Sequence, residues 1–147
     1  MTDRALRGGP VLKQFLCLAL CASALTACNP AADTKAADEG VTAFHQAMDA
    51  GRYGEIYDGS SADLKGTISR DNFVQLLGGL HDRLGSFQAG ATTNWRDNST
   101  TGGHFVVLDR SAKFERGPAT ENFIFRMNGS KAALAGYHVN SNLLVTK

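Results

Sequence analysis

The chain reads as an α+β domain, with helices first and a four-stranded antiparallel sheet after them. Three observations predict this. Apolar residues between 41 and 84 recur at helical spacing, and from residue 86 onward the period drops to two. The breaks between the alternating runs carry turn chemistry, most strongly at Asn128-Gly129. Helices that precede strands joined by short turns pack on one face of an antiparallel sheet. The organisation expected is a leader over residues 1–27, a tether over 28–38 and one domain over 39–147. Without its leader the chain of 147 residues keeps 120, the size of a single domain.

In the leader, Arg4, Arg7 and Lys13 form a positive segment ahead of an apolar run from Phe15 to Leu25, the layout of an export signal. The run falls short of the roughly 20 residues that a spanning helix needs. It closes on Leu25-Thr26-Ala27-Cys28, which resembles the lipobox of bacterial lipoproteins. That resemblance implies cleavage between Ala27 and Cys28, a lipid thioether on the Cys28 sulfur and acylation of the new amino terminus. Membrane lipid is then the first partner, since each buried methylene contributes about 0.8 kcal/mol and several chains hold firmly. Residue 29 is Asn, not the Asp that retains enteric lipoproteins at the inner membrane. The expected address is therefore the periplasmic face of the outer membrane.

Charge and cysteine count narrow the function classes. The 15 basic and 14 acidic residues lose Arg4, Arg7, Lys13 and Asp3 with the leader, leaving 12 and 13, a net −1. A nucleic-acid surface needs a concentrated positive face, which this balance does not supply. Of Cys17, Cys21 and Cys28 only the last survives cleavage, and lipid would cap it. Disulfides, thiol catalysis and cysteine-ligated metal are thereby excluded.

The element sequence runs as follows. Asn29 to Asp38, rich in Ala, Asp and Lys, reads as a short tether merging into the first helix. Val41, Phe44, His45 and Met48 make an apolar stripe that stops near Gly51. Tyr53, Ile56 and Tyr57 form a shorter one. Ser60 or Ser61 caps a turn through Leu64, and Ser69 caps a longer helix carrying Phe73, Leu76, Leu77, Leu80 and Leu84. Gly78-Gly79 is its weak point, at about 1 kcal/mol per glycine relative to Ala. Phe87, Ala89, Ala91, Thr93 and Trp95 alternate as a first strand, followed by a polar loop from Arg96 to Gly103. His104 to Ala112 and Glu121 to Met127 give the next two strands. Asn128-Gly129 supplies the central pair of a hairpin turn, and the last strand runs from Ala132 to Ser141.

The stretch Gly51-Arg-Tyr-Gly-Glu-Ile-Tyr-Asp58, the helix from Phe73 to Leu84, Leu84-Gly85, and Leu134-Ala-Gly-Tyr137 resemble small bacterial domains of unknown function of the DUF4019 and DUF3887 types. The resemblance spans roughly residues 38–144. It implies the cone-shaped fold of nuclear transport factor 2 and ketosteroid isomerase, a curved sheet embracing helices around a cavity. That fold serves enzymes, ligand binders and assembly domains alike, so it does not select a function.

Residues that could face such a cavity are His45, Asp49, Tyr57, Asp109 and Tyr137. A carboxylate in an apolar pocket moves protons near neutrality, and a tyrosine beside it supplies a hydrogen bond. No acid–base pair is singled out, so no catalytic residue is assigned and the domain is read as non-enzymatic. His104 reads as a strand-end residue and His138 as exposed. No metal motif is present and no cofactor is expected. Phe105, Val107, Phe123, Ile124 and Phe125 make both sheet faces partly apolar, unlike a sheet with one wet side. The leading expectation is therefore a lipid-anchored envelope protein that dimerises or binds a protein partner through its sheet. The alternatives are small-ligand binding in the cavity, or an isomerase- or hydratase-like activity there.

Overall fold

The computed structural model describes residues 29–145. The expected leader over residues 1–27, with the expected cleavage site at Ala27, and Cys28, the expected lipidation site, lie outside the described residues. Helix α1 runs from Pro30–Asp49, so the segment expected as a tether is helical from its third residue. The reason is local. The Asn29 side chain accepts from the Ala32 N–H at 3.4 Å, and Pro30 fills the first helical position, where no N–H is needed. Asp33, Ala37, Val41, Phe44, His45 and Met48 then form one buried stripe.

Helices α2 (Tyr53–Asp58) and α3 (Ala62–Thr67) are single short turns. Helix α4 (Arg70–Leu84) starts at Ser69, whose hydroxyl accepts from the Asn72 N–H at 3.3 Å. It runs unbroken through Gly78-Gly79 and buries Phe73, Leu77, Leu80 and Leu84. It ends at Gly85, whose φ of 75° suits a residue without a Cβ.

Strands β1 (Phe87–Thr100), β2 (Gly103–Phe114), β3 (Gly117–Asn128) and β4 (Lys131–Asn140) form one open antiparallel sheet in the order β1-β2-β3-β4. The architecture is thus α+β, with the helices ahead of the sheet. Its inner face presents Val106, Leu108, Phe123, Phe125, Met127 and Leu134 to α1 and α4. A smaller cluster of Leu84, Ala112, Phe114 and Ala119 closes the opposite end. The short 3-10 turn Asn142–Leu144 packs there, not on the outer sheet face as a covering tail would.

Three strand details differ from the expectation. β1 continues through Arg96-Asp-Asn-Ser to Thr100, because polar side chains suit an edge strand that is wet on one side. Irregularities between Phe87 and Ala89 and between Thr92 and Asn94 change its facing set. Gly90, Thr92, Trp95 and Asp97 lie opposite the inner residues Ala112, Arg110, Leu108 and Val106, and Ala89 and Ala91 face outward. At the last hairpin Asn128 still pairs with Lys131, so the loop is Gly129-Ser130, with Gly129 at φ 61°.

The outer face is less apolar in fact than in sequence. Phe105, Val107 and Ile124 are half-buried. The Arg126 guanidinium lies 4.5 Å from the centre of the Phe105 ring and is held bidentately by Asp63, at 2.6 and 2.7 Å. Beside it Asp109 accepts from Asn94, Arg96 and Asn122. The exposed large apolar residues are Leu76, Trp95 and Val145, none of them on that face.

Gly40 gives a test of how tightly α1 sits on the sheet. A methyl group there would stand 2.8 Å from the Phe125 ring. Gly40→Ala gains helix propensity of up to about 1 kcal/mol, yet overpacking costs about 1–3 kcal/mol. The urea midpoint should fall, and an unchanged or higher midpoint would refute this packing.

Candidate functional site

The buried polar centre of the molecule is a carboxylate. Glu121, on the inner face of β3, has a side chain with no exposed surface. Its Oε1 lies 3.0 Å from His45 Nε2 on α1 and accepts from the Tyr137 hydroxyl of β4 at 2.7 Å. His45 faces it because it belongs to the buried stripe. Tyr137 does so because a one-residue irregularity between Leu134 and Gly136 turns both Leu134 and Tyr137 inward. Burial first, and then the Glu121 charge, hold the Tyr137 phenol well above its ordinary pKa.

Aromatic rings wall the network in. The His45 ring stacks on Phe87 at 3.7 Å and 9°, with Phe44, Phe114 and Phe123 edge-on around it. Phe44, Phe123 and Phe125 belong to the buried core beside it, and Phe44 and Phe125 also border a hollow of about 330 Å³ between α1, α2 and β4.

Beside this centre, a groove of about 520 Å³ opens between α1 and β1, touched by His45, Asp49, Phe87 and Arg110. Arg110 Nη1 donates to Asp38 at 2.9 Å and to Thr92 at 2.6 Å. Its Nε and Glu121 Oε2 are buried without hydrogen-bond partners among the described residues, although the two residues face each other across the β2–β3 ladder. Opposite charges on neighbouring strands attract at this range even without a direct bond.

The residues expected at a cavity separate into two groups. The structure brings His45 and Tyr137 together through Glu121. Asp49, one helical turn beyond His45, lines the groove but accepts from the Phe87 N–H at 3.1 Å, tying α1 to the start of β1. Tyr57 lies away from both, donating to the Ile68 carbonyl at 3.0 Å and packing on Phe73. Asp109 is on the outer face, where hydrogen bonds from Asn122 and Asn94, and then the charge of Arg96, hold its carboxyl below the usual range. Glu121 escaped the sequence reading. Its only signal was a charged residue in phase with Phe123 and Phe125 in an alternating strand.

His104 is not a bland strand end. It meets Asp97 of β1 and Asp33 of α1, at 2.7 and 3.7 Å. This is the one grouping of potential metal donors among the described residues. His138 is exposed, as expected.

The family described as protein of unknown function (DUF4019) matches residues 41–137, which include α1 beyond its first turns, α2 to α4 and the sheet as far as Tyr137. No curated protein matches the chain.

The network makes an alkaline prediction. A phenol whose folded pKa is raised contributes stability that is fully present below its unfolded value, about 10, and lost as pH rises toward the folded value. Tyr137→Phe should lower stability at pH 7 by about 1–3 kcal/mol and flatten the decline above about pH 10. Urea unfolding between neutral and alkaline pH measures both, and a variant as steep as the wild type would contradict the assignment.

Proposed function

The chain belongs to the DUF4019 family of unknown function, and from that premise we propose that it is a lipid-anchored envelope protein whose domain engages a second protein chain rather than a substrate. In this reading acylated Cys28 holds the protein at the outer membrane, on the periplasmic side. The start of α1 at Pro30, two residues beyond Cys28, supports a domain that stands directly on the bilayer. The end placed against lipid then carries the first turn of α1 and the β1–β2 and β3–β4 turns. We further read the architecture as the cone of nuclear transport factor 2. Strand irregularities in β1 and β4 support this, because bulges bend a sheet around what it covers.

The observation that carries the interaction reading is the free edge of β1. Among the described residues no backbone group of 88–100 pairs with backbone outside the β1–β2 ladder. At the other edge Ser61 of the α3 cap donates to the Leu134 carbonyl, and α3 covers β4. The regular stretch Asn94–Thr100 holds no Lys and no Pro, the residues that commonly guard edges. Trp95 lies on it, 48% exposed, and tryptophan is a frequent anchor of interfaces. Strand addition at this edge, by a second copy or a partner strand, completes those backbone bonds. The walled-in Glu121 network supports a non-enzymatic role.

A second reading, small-ligand binding in the α1–β1 groove, is favoured by its volume and by Arg110 and His45 on its wall.

Two measurements test the proposal. Expressed with its leader in a bacterial host, the chain should incorporate labelled palmitate, and Cys28→Ala should abolish labelling and release the protein from membranes. Crosslinking in the envelope should capture a second chain at β1, with Trp95→Lys reducing capture at least about tenfold, the weight of one interface anchor. A monomer without partners that carries a co-purifying small molecule in native mass spectrometry would replace the first reading by the second.

A further inference from the structure

Elsewhere in the molecule, most carboxylates near the sheet are matched by arginine. Asp38 meets Arg110, Asp58 meets Arg70, Asp63 meets Arg126 and Asp109 meets Arg96. Asp33 and Asp97 meet a histidine instead, as Glu121 and Asp49 do, but here two carboxylates share one imidazole. They come from different elements, the first turn of α1 and the far part of β1, and converge on His104 near the start of β2. Among the described residues neither pairs with a lysine or arginine, and His104 is their shared ion-pair partner.

Both carboxylates are under-used. Asp33 is only 8% exposed, and among the described residues its side chain accepts no hydrogen bond. Its Oδ2 is directed at His104 Nε2, 3.7 Å away. Asp97 Oδ1 lies 2.7 Å from the same nitrogen, and Asp97 Oδ2 is buried with no partner. One imidazole N–H cannot satisfy both the buried Asp33 and the half-buried Asp97. Two carboxylates and a neutral imidazole carry a charge of −2. Protonation of His104 cancels half of it, and a divalent cation cancels all of it.

We propose that Asp33, Asp97 and His104 bind a divalent transition-metal ion of the zinc class. One donor atom from each residue lies within 4.8 Å of the others. Neighbouring ligands of a tetrahedral ion at about 2.0–2.1 Å stand roughly 3.3 Å apart, between the 2.7 and 3.7 Å separations from His104 Nε2. Binding would close the remaining difference by rotating the two short carboxylates. An imidazole among the donors selects zinc-like ions over calcium or magnesium, which take oxygen ligands. Three protein ligands leave a fourth position for water or a group from outside. The ion would fasten the first turn of α1 to the β1–β2 hairpin, at the end of the molecule where α1 starts. Binding of the ion requires neither lipidation nor a partner at the β1 edge, although Asp97 belongs to that edge stretch.

The test uses the full chain in detergent, with its cysteines present in every variant so that their contribution cancels. Zinc chloride alone is the probe, followed by calorimetric titration and by metal analysis after dialysis. The wild type should hold one zinc equivalent more than Asp97→Asn and His104→Gln, and zinc should raise only the wild-type Tm. Loss of one ligand should weaken binding by about 10- to 100-fold or more, given that even outer-shell partners of metal ligands are worth that much. Equal stoichiometry in all three chains, with no Tm response, overturns the proposal. Should either variant fail to fold, zinc-edge X-ray absorption of the wild type decides. Nitrogen and oxygen neighbours without sulfur, together with an imidazole signature, support the site. Sulfur neighbours, or no retained zinc, overturn it.

Discussion

A carboxylate sits at the middle of this molecule, and its burial constrains nearly everything around it. An ionised side chain without water costs several kcal/mol unless it is paired and hydrogen-bonded. Glu121 finds its partners on α1 and β4, 76 and 16 residues away. The contact with His45 is compatible with only one rotation and position of α1 on the sheet, the one that also buries its apolar stripe. Once it is made, Phe44 falls against Phe123 at 5.1 Å and Met48 and Val41 enter the core. Asp49 then reaches the Phe87 N–H, and the first turn of α1 arrives at the β1–β2 hairpin, where Asp33 meets His104. The groove, the tie to β1 and the donor cluster are thus consequences of one helix placement.

The sheet divides its labour unevenly. All four strands are joined in sequence by short turns, so their pairing is local and closes little loop entropy. Long-range order comes from the helices laid on the inner face. At one edge the Ser61 N–H of the α3 cap bonds the Leu134 carbonyl, while among the described residues the backbone of 88–100 bonds only within the β1–β2 ladder. The outer face carries Arg126 and the Asp109 hydrogen bonds. This polar cover also explains why apolar residues on that face do not form a sticky patch. The Phe105 ring packs beneath a guanidinium anchored on α3, an arrangement that gives an aromatic side chain a polar roof. On the β1 edge, by contrast, backbone groups and the half-exposed Trp95 lie together, which is the basis of the proposed strand addition.

Function follows from this layout more than from any single group. The residues that an acid–base enzyme would need are here, an imidazole, a carboxylate and a phenol within hydrogen-bonding reach. They are spent on one another inside a wall of aromatic rings. Their hydrogen bonds are to each other, and of the three His45 also borders the α1–β1 groove.

Element types and the order of helices and strands were legible in the sequence, because period, capping residues and turn glycines act within a few residues of themselves. Ser69 caps α4 and the stripe through Val41, Phe44, His45 and Met48 is the face α1 buries. Asn29 and Pro30 had the same local signal for a helix start, masked by the tether-like composition after them. Two classes of feature could be decided only by the tertiary structure. Which β1 residues face inward depends on irregularities that answer to β2, and the choice of Glu121, Asp33 and Asp97 as partners of histidines depends on chain segments far apart in sequence. Local chemistry selects the elements. The requirement to pair buried charge, met only when those elements pack, selects the sites.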